Sequence, residues 1–125
     1  MKKPEPATPD AVVPDAVVPD AAHPPAAGPP ALLRIVGLDT LLLVRGEEDT
    51  YLSDKMGYCD FRQSRIVLSQ GNSPTSMRET AVHEVLHAVD HAVQSGLSEQ
   101  DVHRLGRALY AVLRDNPEFT RWLLL

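Results

Sequence analysis

The sequence predicts an α+β protein in which a small antiparallel β-sheet precedes a helical hairpin and a short C-terminal helix. Three observations carry that expectation. Short apolar runs punctuated by turn residues fill positions 31–69, and apolar residues at helical spacing fill 82–113. Nine of the eleven prolines lie within the first thirty residues, which confines the fold to the remaining 95. A chain of that size buries about two-thirds of its surface, enough for one domain with one modest core.

The first thirty residues carry a short repeat: PDAVV at 9–13, PDAVV at 14–18 and PDAA at 19–22. Proline removes a backbone donor and fixes φ, so neither a helix nor a central strand suits such a segment. It is expected to be a disordered, polyproline-like Pro/Ala-rich tail, with a docking peptide as the sharper alternative. Residues 31–125 are expected to form the folded domain.

Within it, ALLRIV is the first strand candidate, Gly37 and Asp39 mark a turn, and TLLLVR follows as the second. Polar residues 46–49 form the next turn. YCDFR and RIVLS flank Gln63 and Ser64 and predict a hairpin with a two-residue loop. GNSP at 71–74 breaks the sheet. A helix follows, with Ser73 before Pro74, or Ser76 with Glu79 three residues on, as equal N-cap candidates. Its apolar stripe is Val82, Val85, Leu86, Val89 and Val93, and Gly96 is placed to close it in a left-handed cap. Ser98 then caps a second helix whose stripe is Val102, Leu105, Leu109, Val112 and Leu113, ended by Asn116 and Pro117. The terminal segment 117–125 is expected to lay Phe119, Trp122 and the leucines onto the core.

Acidic residues outnumber basic ones 17 to 12, for a net charge of −5, and no basic cluster occurs. That argues against nucleic acid or an anionic membrane as a direct partner. Lys2 and Lys3 are followed by prolines rather than an apolar stretch, and no apolar run approaches membrane-spanning length. The single cysteine, Cys59, excludes an internal disulfide framework and fits a reducing compartment. A cytoplasmic protein is expected.

The chemistry concentrates in HEVLH, with His83, Glu84 and His87. Residues i and i+4 of a helix lie one turn apart on one face, so two imidazoles can converge on one ion. Glu84 is rotated by about 100° from His83, which sets its carboxylate beside the ion, where a general base must stand to deprotonate water. With this His and Glu content the pattern arises by chance in roughly one such sequence in a hundred. Two histidines beside an apolar stripe can also be core-edge polar groups satisfied by neighbours. The spacing on an amphipathic helix favours a divalent metal, and zinc among them.

RETAVHEVLHAVDH followed by LSEQDVHRLGRALYAVLRDNP resembles the small bacterial and phage HEXXH metallopeptidases, akin to the ImmA/IrrE family and more distantly to gluzincins. The likeness spans roughly residues 57–117 and includes Gly57, Tyr58, Cys59 and Asp60 ahead of RIVLS. It implies a zincin-like domain with His83 and His87 as zinc ligands and Glu84 as catalytic base, acting on a protein or peptide. Characterised ImmA/IrrE members cleave helix-turn-helix repressors, so a repressor is the partner the resemblance implies.

The third ligand stays open between two residues of the second helix. Glu99, His103, Gly106 and Tyr110 share one face there. In an antiparallel hairpin about Gly96, facing positions sum to about 192, so that His103 falls short of the metal by ~6 Å and Glu99 by ~12 Å. Geometry thus favours His103. The likeness of E-x-x-V-x-x-L-G to the ImmA/IrrE pattern favours Glu99, which reaches only if the first helix ends early or the helices cross steeply.

Asp90 can orient a ligand imidazole or simply be a solvated acid, and His91 extends the histidine row toward the surface. Tyr110 can donate to a developing oxyanion or sit at the core edge. Gly106 in mid-helix suggests close approach of the first helix. Cys59 reads as a small buried hydrophobe. A fourth protein ligand from Cys59, Asp90 or His91 would make the ion structural, pinning the hairpin of a protein-binding module. An open water position would make it catalytic.

Overall fold

The structure is a computed structural model that describes residues 28–125, so the tail and its repeat lie outside the described residues. Two compact units are distinguished, one spanning Pro30–Ala111 and the other containing Val112–Leu125.

In the first unit the strands are β1 (Leu32–Ile35), β2 (Leu38–Arg45), β3 (Gly57–Asp60) and β4 (Arg65–Ser69). Helix α1 covers Pro74–Val93, and α2, Glu99–Asp115, carries its last turn into the second unit. The α+β class is as expected from the sequence. The sheet, however, is mixed rather than antiparallel. Its order is β1-β2-β4-β3, with β2 and β4 parallel and the other two pairs antiparallel. The cause lies in RIVLS: Ile66, Val67 and Leu68 are all fully buried, so β4 needs a covered position on both faces and takes the slot between β2 and β3. The connection 46–56 therefore runs from β2 past that slot to the far edge. It is tied down where the Tyr58 hydroxyl donates to Asp49 at 2.7 Å and the Tyr51 and Tyr58 rings meet at 6.0 Å.

The two hairpin turns differ. Val36 and Gly37 both take positive φ, at 50° and 81°, which is the backbone of a two-residue type I′ turn. Between β3 and β4 the loop has four residues, 61–64, instead of two. Asp60 Oδ1 holds it by accepting from the Arg62 and Gln63 amides.

The core lies between the sheet and α1. Ile35, Leu42, Ile66 and Leu68 meet Met77, Ala81, Val85, Ala88 and Val89. The stripe on α1 is thus rotated from the expected one: Val93 is exposed, while Leu86 turns toward α2. Ser73, not Ser76, caps α1, its hydroxyl accepting from the Ser76 amide at 3.1 Å. At the other end Gln94, with φ 58°, takes the left-handed position expected of Gly96, whose own φ of 75° bends the connection further on. Ser98 caps α2 as expected, its hydroxyl accepting from the Asp101 amide while Asp101 accepts from the Ser98 amide. Only Val102 and Gly106 of α2 are buried, and Leu105, Leu109 and Val112 stay exposed.

In the second unit, α3 (Pro117–Leu123) follows α2 directly. Thr120 donates to the Leu113 and Asn116 carbonyls, and the Phe119 and Trp122 rings stack at 6.1 Å. Against expectation, Phe119, Trp122 and Leu123 to Leu125 remain exposed. None of the helices among the described residues is long and apolar enough to cross a membrane.

Candidate metal centre

Because α1 is continuous across HEVLH, His83 and His87 stand one turn apart, with ring centroids 4.8 Å apart. Glu99, the first residue of α2, meets both. His83 Nε2 lies 2.9 Å from Glu99 Oε2, and His87 Nε2 lies 2.8 Å from Glu99 Oε1. Single ligand atoms from the three side chains all fall within 4.8 Å of one another, so the group can hold a metal ion. Two imidazoles and one carboxylate are a donor set that suits zinc and related ions. Tetrahedral coordination at about 2.0–2.1 Å separates ligand atoms by about 3.4 Å, a spacing this cluster brackets.

Between the two candidates for the third ligand, the structure brings in Glu99. His103, one turn along α2, instead packs its ring edge-on against that of His83, at 6.1 Å and 68°. The physical reason is a register that differs from the simple hairpin. Gly106 sits against His83, where a Cβ on the glycine would meet the His83 Cα at 3.5 Å. Close approach of the helices at Gly106 was the expectation, and it holds. Tyr110 stands half-buried one turn beyond Gly106.

Burial sets the electrostatics. His83 is held below its ordinary pKa chiefly by desolvation, with the neighbouring His87 and His103 adding to the effect and Glu99 opposing it. The neutral imidazole, the form that binds metal, is thereby favoured. Glu84 faces the sheet, only 6% exposed, and its carboxyl is pushed up to about 7 by desolvation, with the Glu99 charge adding to it and His87 opposing. Cys59 on β3 feels the same environment. Burial first, then the charge of Glu84, pushes its thiol up to about 12, which fits the packed hydrophobe the sequence suggests.

The other sequence candidates are engaged elsewhere. Asp90 accepts from the Ser95 hydroxyl and the Leu97 amide and so organises the link to α2. Its carboxyl is lowered mainly by those bonds. His91 stacks face to face on Phe61, with centroids 4.1 Å apart at 8°, a contact that spacing along the chain gives no way to foresee. A cavity below the same stretch of α1, lined by Thr40, Ser64 and Ala88 among others, was also not foreseen, because its walls come from separate elements. No family model, curated protein or solved structure matches the chain.

Proposed function

We propose that the chain is a zinc-dependent metallopeptidase-like hydrolase. His83, His87 and Glu99 would hold the ion and Glu84 would serve as general base. The observation that carries this reading is the convergence of both HEVLH imidazoles on one carboxylate of α2, beside a buried glutamate. Zinc, when bound, supplies Lewis acidity toward water and toward a peptide carbonyl. Glu84 takes the proton of the attacking water on a carboxylate oxygen and returns it to the leaving amine. In the metal-free site burial lifts the Glu84 carboxyl above the ordinary carboxylate range, the direction a general base needs. Tyr110, on the Glu99 face of α2, is the proposed donor to the developing oxyanion.

The rival reading, a structural ion in a protein-binding module, needs a fourth protein ligand. Asp90 is bonded to the link, His91 is stacked on Phe61 and the half-buried Cys59 is packed against the core, which supports an open fourth position. The resemblance to ImmA/IrrE proteins makes a cytoplasmic helix-turn-helix repressor the first substrate to try.

Elemental analysis of purified wild type and of His83→Ala, Glu99→Ala, His103→Ala and Glu84→Gln tests the site. Near-stoichiometric zinc is expected in wild type, His103→Ala and Glu84→Gln, and its loss in His83→Ala and Glu99→Ala. Glu84→Gln should keep zinc and lose peptide hydrolysis. Full activity in that variant removes Glu84 as base, and a wild type that folds without binding metal sinks the whole reading.

A further inference from the structure

Arg107 follows Glu99 and His103 in a row along α2, each about one turn beyond the last. Gly106 fixes where that row lies. A Cβ on it would meet the His83 Cα at 3.5 Å, so the Gly106 side of α2 faces α1. Around the helix from Gly106, Glu99 lies at ~20°, His103 at ~60° and Arg107 at ~100°, all in one sense, whereas Leu105 and Leu109 lie in the other. The metal centre is on the side of the row. Glu99 reaches both His83 and His87 there, and the His103 ring packs edge-on against that of His83. Arg107 therefore stands at the rim of the centre.

Levels along the axis give the distance. Gly106 is level with His83, so a point midway between His83 and His87 is level with position 104. Arg107 is three residues further on, or ~4.5 Å along the axis. One residue of an extended chain covers about 3.3–3.6 Å, so the guanidinium stands one or two residues away from a bond under attack at the centre. Arg107 is exposed and makes no ion pair with a described residue, which leaves its charge for a ligand. The first turn of α2 is acidic, with Glu99 and Asp101, so this helix runs from negative to positive along the site.

We propose that Arg107 determines specificity by binding a carboxylate of the substrate, carried one or two residues from the bond under attack. The assignment rests on the reading of His83, His87 and Glu99 as the zinc site. A guanidinium pairs with a carboxylate through two parallel hydrogen bonds, which fixes orientation as well as charge. The chain carries a net charge of −5, so the protein as a whole repels an acidic substrate and admits it where a local cation offsets that field. An aspartate or glutamate side chain and a terminal carboxylate share this chemistry. Arg104 supplies the contrast. It is exposed too, but it lies ~160° from Gly106, on the side of α2 turned away from α1.

The test is a calorimetric titration of the zinc-loaded full chain with three malonyl hydroxamates. All three grip zinc through the hydroxamate, and they continue as Asp-amide, as Asn-amide or as Asn with a free terminal carboxylate. A carboxylate-bearing compound should bind about fivefold more tightly than the Asn-amide, the gain of one partly exposed ion pair. A gain with the Asp-amide names an acidic side chain as the source, and a gain with the free terminus names a chain end. Arg107→Gln should abolish the gain without loss of zinc, Arg107→Glu should reverse it, and Arg104→Gln should leave it intact. Equal affinity for the three compounds overturns the proposal, makes Arg107 a solvated surface charge and leaves the metal centre standing. A gain that survives Arg107→Gln overturns it as well. A chain that takes up no zinc removes the metal centre, and the Arg107 site falls with it.

Discussion

Two glycines frame the centre, and the same substitution should act on them with opposite sign. Gly57 opens β3, the edge strand that carries Cys59 opposite Glu84. A Cβ there would lie 2.8 Å from the Val67 carbonyl oxygen and 2.8 Å from Thr80 Cγ2. The threonine methyl can rotate away, but the carbonyl belongs to β4 and moves only if the strands part. Overpacking of this kind costs about 1–3 kcal/mol, offset by about 0.4–1 kcal/mol as alanine narrows the unfolded ensemble. Gly57→Ala should therefore destabilise by about 1–2 kcal/mol, net. At Gly106 the Cβ would meet the His83 Cα and Leu86 Cδ1 at 3.5 Å, ordinary van der Waals contact. Gly106→Ala then gains helix propensity with no clash, worth about 0.5–1 kcal/mol. Urea unfolding of the metal-free protein reads both, and a difference of 1 kcal/mol shifts the melting temperature by about 4–8 °C in a domain of this size. Destabilisation by Gly106→Ala beyond 0.5 kcal/mol would refute the helix spacing on which the placement of Glu99 depends. An unchanged midpoint in Gly57→Ala would refute the close seat of β3 under α1.

Three further outcomes test the surroundings of the site. Ser73→Ala removes the N-cap acceptor of α1 and should cost about 1 kcal/mol, read by the same unfolding curves, whereas Ser76→Ala should cost little. The Asp90 carboxyl is lowered by the Leu97 amide and the Ser95 hydroxyl, so its contribution is present above the unfolded carboxyl range and is lost as pH falls through the lower folded value. Amide exchange at Leu97 should accordingly rise, relative to the Val85 amide, on acidification below about pH 4, and Asp90→Asn should show the faster exchange already at neutral pH. Cys59, with its thiol near 12, should react with iodoacetamide at pH 8 on the order of 10³ times more slowly than after unfolding, and a rate like that of the unfolded chain would contradict its burial.

Much of the fold was legible because each element advertises itself locally. Apolar runs with turn residues between them mark the four strands, and the 3.6-residue period marks both helices. The order of the strands was not legible, since nothing near β2 or β4 records that they pair. The continuous burial of Ile66, Val67 and Leu68 contained the hint: an antiparallel edge hairpin would have shown alternation there. Turn chemistry misled in two places, the β1–β2 turn and the C-terminal end of α1, for a simple reason. Val36 and Gln94 adopt positive φ, at 50° and 58°, where propensity expects glycine, because the flanking elements impose those conformations. The exposed leucines of α2 show the same limit. A stripe declares which residues share a face, but burial depends on what stands opposite.

The third ligand shows how a small boundary error becomes a chemical ambiguity. Placing the end of α1 at Gly96 gives facing positions that sum to about 192, and Glu99 then lies ~12 Å short of the metal level. In the structure the helix is capped at Gln94, and the contact of Gly106 with His83 sets that sum at 189. A point midway between His83 and His87 then faces position 104, and Glu99 is short by about five residues, or ~7–8 Å. An imidazole and a glutamate side chain together cover that offset, and both Nε2 contacts close within 2.9 Å. His103 lies nearer in level, yet its ring meets that of His83 edge-on, so nearness along the axis does not deliver a nitrogen to the shared point. Level along a helix and direction around it are separate conditions on a ligand. The spacing of HEVLH satisfies both within one helix. For a ligand from a second helix only the level can be counted from the sequence, and the direction follows from how the two helices pack.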